Sequence, residues 1–134
     1  MNINKKGNNM NNNQELIHFT VKIELDSNDS ANFTYFRDGK EVSGGGVVRT
    51  ETAGIYTLEP TTITSGFLFT GATITNKKGD CAGDFSYKVS DDSQSIVIID
   101  SNENNGTVCL IFNVECNGKA YESADPQVEN EDIF

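Results

Sequence analysis

The sequence predicts an all-β fold: an antiparallel two-sheet sandwich of immunoglobulin-like architecture, built from seven to nine short strands. Three observations carry this expectation. Apolar residues alternate with polar ones at period two from Ile17 to Leu25, where Ile17, Phe19, Val21, Ile23 and Leu25 are separated by His18, Thr20, Lys22 and Glu24. Turn chemistry recurs along the chain, with Asp38-Gly39, Asp91-Asp92 and Asn117-Gly118 between apolar runs. No stretch repeats apolar residues at helical spacing for three turns.

The elements follow in chain order. Residues 1–14 contain seven Asn with Lys5, Lys6 and Gly7, a composition too polar to offset its ordering entropy, and are expected to form a disordered arm before a single domain over 15–134. After the first strand, the loop Asp26–Ser30 leads to a strand over Asn32–Arg37, which Asp38-Gly39 turns back. A return strand over Lys40–Val48 is interrupted by Gly44-Gly45-Gly46, and Val47–Thr52 and Ile55–Leu58 flank Gly54, glycines that suggest bulges. Pro60 ends that segment because it cannot donate to a ladder. Phe67, Leu68 and Phe69 with Ala72 and Ile74 give the next strand, and Asn76–Gly83 reads as a polar loop. Phe85–Val89, Ile96–Ile99, Thr107–Glu115 and Lys119–Ser123 then read as an antiparallel meander.

Two strands of that meander are apolar on both faces. Ile96, Ile98, Val108, Leu110, Phe112 and Val114 share one phase, with Cys116 behind them, while Val97, Ile99, Cys109 and Ile111 share the other. A second apolar face calls for a cover, either from the same chain or from a partner subunit, so these four residues are the candidate interface of a homo-oligomer.

Charge narrows the partners. With 20 acids against 10 bases the formal net charge is -10, and Glu122, Asp125, Glu129, Glu131 and Asp132 crowd the C-terminal segment. Nucleic acid and anionic membranes should be repelled, leaving an unknown protein or glycan as the ligand class. The chain shows neither a signal-type apolar run nor a span of membrane length, and its three cysteines, Cys81, Cys109 and Cys116, are an odd count at spacings unlike a disulfide framework. A soluble, cytoplasmic protein is the expectation.

Catalytic chemistry finds little support. The single histidine, His18, lies on the polar phase of a strand, no nucleophile motif surrounds the cysteines, and twenty acids make any chosen carboxylate pair arbitrary. Ser43-Gly44-Gly45-Gly46 lacks the Lys-Ser/Thr and the helix start of a phosphate cradle, so a bulge or flexible hairpin is expected there. The best metal-like spacing is Asp100, Asn102 and Asn104, the first, third and fifth positions of a calcium loop. The match then fails, since Asn105 stands at the glycine position and Ile111 where a bidentate Glu belongs. A polar inter-strand turn explains the spacing as well; a weaker calcium site would borrow Asp80, Asp84, Asp91 or Asp92 from another loop, and no cofactor is expected.

The only two prolines occur as Glu59-Pro60, closing a mid-chain strand, and Asp125-Pro126, in the run Ser123-Ala124-Asp125-Pro126-Gln127-Val128-Glu129-Asn130. With the length and the all-β pattern, the chain resembles the small bacterial DP-EP family over roughly Leu16–Asn130. The resemblance implies a compact β-sandwich and a family without an assigned activity, cofactor or catalytic residue. After Asp125-Pro126 the segment Gln127–Phe134 is expected on the domain surface, with Val128, Ile133 and Phe134 docking on apolar area. The residues thus point to a non-enzymatic binding or self-assembly module, with a calcium-assisted, lectin-like carbohydrate binder at the Asp100–Gly106 loop as the alternative.

Overall fold

The computed structural model describes residues 14–131. The Asn-rich arm, apart from Gln14, and the docking expected of Ile133 and Phe134 lie outside the described residues. Among the described residues eleven strands run in the order β1 (Glu15–Leu25), β2 (Ala31–Arg37), β3 (Lys40–Val42), β4 (Gly46–Val48), β5 (Thr52–Leu58), β6 (Phe67–Gly79), β7 (Phe85–Val89), β8 (Ser95–Asp100), β9 (Gly106–Cys116), β10 (Lys119–Glu122) and β11 (Gln127–Asn130). A short helix, α1 (Pro60–Thr64), precedes β6, and a single 3-10 turn over Ala82–Asp84 precedes β7.

Two sheets enclose the core. One has six strands in the order β3-β2-β1-β5-β8-β7; the other joins β10-β9-β11-β4, with β6 along the remaining edge of β9. The all-β sandwich is therefore as the sequence predicts, but it has more strands and its sheets are mixed, since β1 pairs parallel to β5 and β11 parallel to β4. The inward phase is also as predicted: Val21, Ile96, Val108, Leu110, Phe112 and Val114 are buried, together with Phe69 and Leu58. Stacked Phe19 and Tyr56, with Phe112 against Tyr56, form the aromatic centre of a core in a chain without tryptophan.

Several expectations are corrected by the topology. The meander does not form: β7 and β8 pair within the six-stranded sheet, while β9 and β10 pair within the other, so the Asp100–Gly106 loop crosses between layers. The Lys40–Val48 return strand is divided between the sheets, and Gly44–Gly45 is a crossing rather than a hairpin. A Cβ on Gly44 would meet the Tyr35 ring at 2.6 Å and one on Gly45 the Gln127 carbonyl oxygen at 2.0 Å. Val47–Thr52 is not a strand, because β4 ends at Val48, whereas β5 runs through Gly54 without a break. Asn76–Gly79 is not a loop either; it prolongs β6 past a register shift between Asn76 and Lys78.

The two proline dipeptides have separate structural duties. Glu59 caps α1, accepting from the Thr62 amide at 2.8 Å, with Pro60 at the first helical turn, where it needs no hydrogen-bond partner. Buried Thr62 then accepts from the Ile23 amide at 3.0 Å, which ties the helix to β1. Asp125-Pro126, a cis pair, lies between β10 and β11, where the Pro126 carbonyl accepts from the Leu110 amide at 2.8 Å and the Asp125 carbonyl accepts from the Tyr35 hydroxyl. The segment after it does not run over the surface. It inserts as β11 between β9 and β4 and buries Val128 and Asn130.

Candidate functional site

Two features stand out: a buried polar cluster under the Asp100–Gly106 loop, and an apolar patch on the outer face of the six-stranded sheet. The cluster joins three distant segments. Asp84 closes the 3-10 turn, Asp100 ends β8, and Asn130 ends β11, and all three are buried.

Asp84 is fully engaged. Its Oδ2 accepts from the Glu103 amide at 3.0 Å, the Asn104 amide at 2.8 Å and the Asn130 Nδ2 at 3.2 Å, and its Oδ1 accepts from the Asn104 Nδ2 at 2.7 Å. The Asp84 carbonyl accepts from the Ser101 amide as well, so the 3-10 turn holds the crossing loop at both ends of one residue. Asp100 is only half engaged. Its Oδ1 accepts from the Asn102 amide and from the Asn130 Nδ2, each at 2.9 Å, while its Oδ2 and the Asn130 Oδ1 have no partner. Burial pushes the Asp100 carboxyl up to about 6, with the nearby Asp84 charge adding to the rise and the Asn130 and Asn102 hydrogen bonds opposing it. The same burial and the same two carboxylates push the Cys81 thiol above its usual range, which keeps it protonated.

Asp100 also lines a cavity of about 70 Å³ between the sheets, walled by Ile17, Phe19, Tyr56, Phe85, Leu110 and Val128. On the other side Asn130 lines an open groove with Lys78, Gly106, Glu129 and Glu131. Among the described residues no lysine or arginine pairs with Asp84 or Asp100; Arg49, the basic side chain bonded near this end, pairs with Glu131 at 2.9 Å.

The calcium-loop spacing therefore places its residues in one cluster but in other roles. Asn104 donates to Asp84, and Asn102, at φ 54°, supplies an amide to the Asp100 carboxylate and shapes the turn. Among the described residues no three His, Cys, Asp or Glu side chains converge as a metal set. Of the four acids that another loop could lend, Asp84 alone reaches the Asp100–Gly106 loop, and Asn130 is the member that spacing could not supply. The one signal for Asn130 is its period-two phase with buried Val128, which points an amide inward.

The four candidate interface residues do not share a face. Val97 and Ile99 lie on the outside of the six-stranded sheet, and Cys109 and Ile111 on the outside of the other. Register builds the first pair into a patch. One cross-strand row reads Leu16, Ala53, Ile99, Ser86 and the next His18, Ile55, Val97, Lys88, with Leu16 58% and Ile99 36% exposed. The second pair is flanked instead by Thr75 and Thr73 on β6 and by Gln127 on β11. Among the described residues no helix is long and apolar enough to cross a membrane.

The model of the DP-EP family matches the chain over residues 15–132. No curated protein matches it.

Proposed function

The chain belongs to the DP-EP family, a family of unassigned function, and from that premise we propose that it is a non-enzymatic module that self-associates through the outer face of its six-stranded sheet. The observation that carries this reading is the apolar patch made by exposed Leu16 and Ile99 with half-buried Ile55 and Val97, in two adjacent register rows across β1, β5 and β8. Isolated exposed apolar residues are ordinary, whereas several in adjacent register rows favour a contact surface.

Charge supports a second copy as the occupant. A chain of net charge -10 repels its own kind, so two copies approach best where acids are scarce. The rows carrying the patch hold His18 and Lys88 and no acid, and Lys22 lies farther along β1, where Glu24 pairs with it at 3.8 Å. The outer face of the five-stranded sheet instead presents Glu115, Glu122 and Glu129 around Ile111 and Cys109. Contact through the six-stranded sheet therefore buries more apolar surface at less electrostatic cost.

Light scattering on the full chain over a range of concentrations tests the reading. A mass rising to twice that of one chain is expected, with a stronger tendency at 0.5 M salt, where the mutual repulsion is screened. Ile99→Asp should hold the protein at monomer mass with an unchanged circular dichroism spectrum. A wild-type protein that stays monomeric at every concentration, or a folded Ile99→Asp variant of undiminished mass, would sink the proposal.

A further inference from the structure

We infer that Asp100 and Asn130 form a binding site for a hard, oxygen-seeking cation at the inner end of the Asp100–Gly106 loop. Asp100 is 3% and Asn130 2% exposed, and each directs one oxygen, Oδ2 and Oδ1 respectively, to no hydrogen-bond donor. Oxygens buried in this way are compensated by a donor or by a positive charge in almost every folded protein. The two free atoms belong to neighbouring planar groups, because the Asn130 Nδ2 already bonds the Asp100 Oδ1 at 2.9 Å.

Three further facts select a cation as the guest. The site contains two buried carboxylates, Asp84 and Asp100, and among the described residues no lysine or arginine pairs with either. The free atoms are a carboxylate and an amide oxygen, which suit Ca²⁺ or a similar hard ion, and Cys81, the nearby thiol, stays protonated. Asn130 also lines the open groove that holds Glu129 and Glu131, with Lys78 as its basic member, and this groove is the approach from solvent that the site would use. With one carboxylate and one amide as its side-chain ligands, the site has the low ligand charge of a weak, millimolar one. Asp84 is not a ligand in this arrangement, since amide hydrogens already occupy both of its oxygens.

The test is thermal unfolding of the full chain at pH 8, first with a chelator and then with 5 mM CaCl₂, at ionic strength matched with NaCl. The wild type should gain roughly 3–6 °C in Tm with calcium, and Asp100→Asn, nearly the same shape without the charge, should gain less than 1 °C. Asn130→Asp, which adds a second anionic ligand, should lose stability in chelator and gain more than the wild type with calcium. That variant keeps the test informative if Asp100→Asn fails to fold. Equal calcium shifts in wild type and Asp100→Asn would mean screening of the overall charge and would overturn the site. So would a wild type that ignores calcium.

Discussion

Asp84 and Asp100 are both buried carboxylates bonded to the same Asn130 amide, yet the fold surrounds one with donors and leaves the other with an idle oxygen. Asp84 works as a clamp: its two oxygens gather the Glu103 and Asn104 amides and the Asn104 side chain, and so fix the loop that carries the chain from one sheet to the other. Asp100 works as a reservoir of unmet charge. Burial alone says little about a carboxylate, because the count and direction of donors decide how far its charge is compensated.

The sharpest way to break this comparison is to remove the clamp. Asp84→Ala strips four acceptor contacts from the loop and from Asn130, two of them with amides of the exposed loop that water can then satisfy. A loss of about 3 kcal/mol is expected in urea unfolding. A loss under 1 kcal/mol would show that the crossing is held by sheet pairing alone.

The pH dependence sharpens the same contrast from the side of Asp100. Its folded value lies near 6 against an ordinary 3.8, so the folded state favours the protonated form. That contribution is fully present below about pH 3.8 and is lost as pH rises through about 6, which makes stability fall over this window. At 1.4 kcal/mol per pH unit the loss is at most about 3 kcal/mol, and partial solvation reduces it. Measured in chelator, Asp100→Asn should flatten the profile between pH 4 and pH 7. An equally steep fall in that variant would assign the titration to another group.

How far the sequence could be read follows the same division between local and distant information. The inward phases of β8 and β9 and the turns Asp38-Gly39 and Asn117-Gly118 were legible because side-chain alternation and positive φ are properties of a few neighbouring residues. The sheet to which each strand belongs was not. Asp100–Gly106 is as polar as a hairpin loop, and nothing local reveals that it crosses between layers. The candidate site was half legible for the same reason: Asp100 and Asn104 announced the loop, while Asp84 and Asn130 reach it only through tertiary contact. Helix α1 leaves no periodic signature because five residues are too few for an apolar period, although Glu59-Pro60 is an ordinary cap followed by proline at the first turn.

The two outer faces give the last contrast, with the smallest expected effect. Ile99 and Ile111 occupy the same kind of position, the outward phase of a long apolar strand, and in the sequence they look alike. Register separates them. Ile99 has Ala53 and Ser86 beside it and continues into Leu16, whereas Ile111 faces Thr73 across the β6–β9 pair and belongs to a face bearing Glu115 and Glu129. Ile111→Asp should therefore cost only about 1 kcal/mol of stability and leave the association unchanged, while Ile99→Asp abolishes it at a similar cost in stability. Light scattering of both variants beside the wild type decides the matter. If Ile111→Asp dissociates the assembly as effectively, the five-stranded sheet takes part in the contact, and copies must stack unlike face to unlike face, which yields open-ended polymers rather than a closed pair.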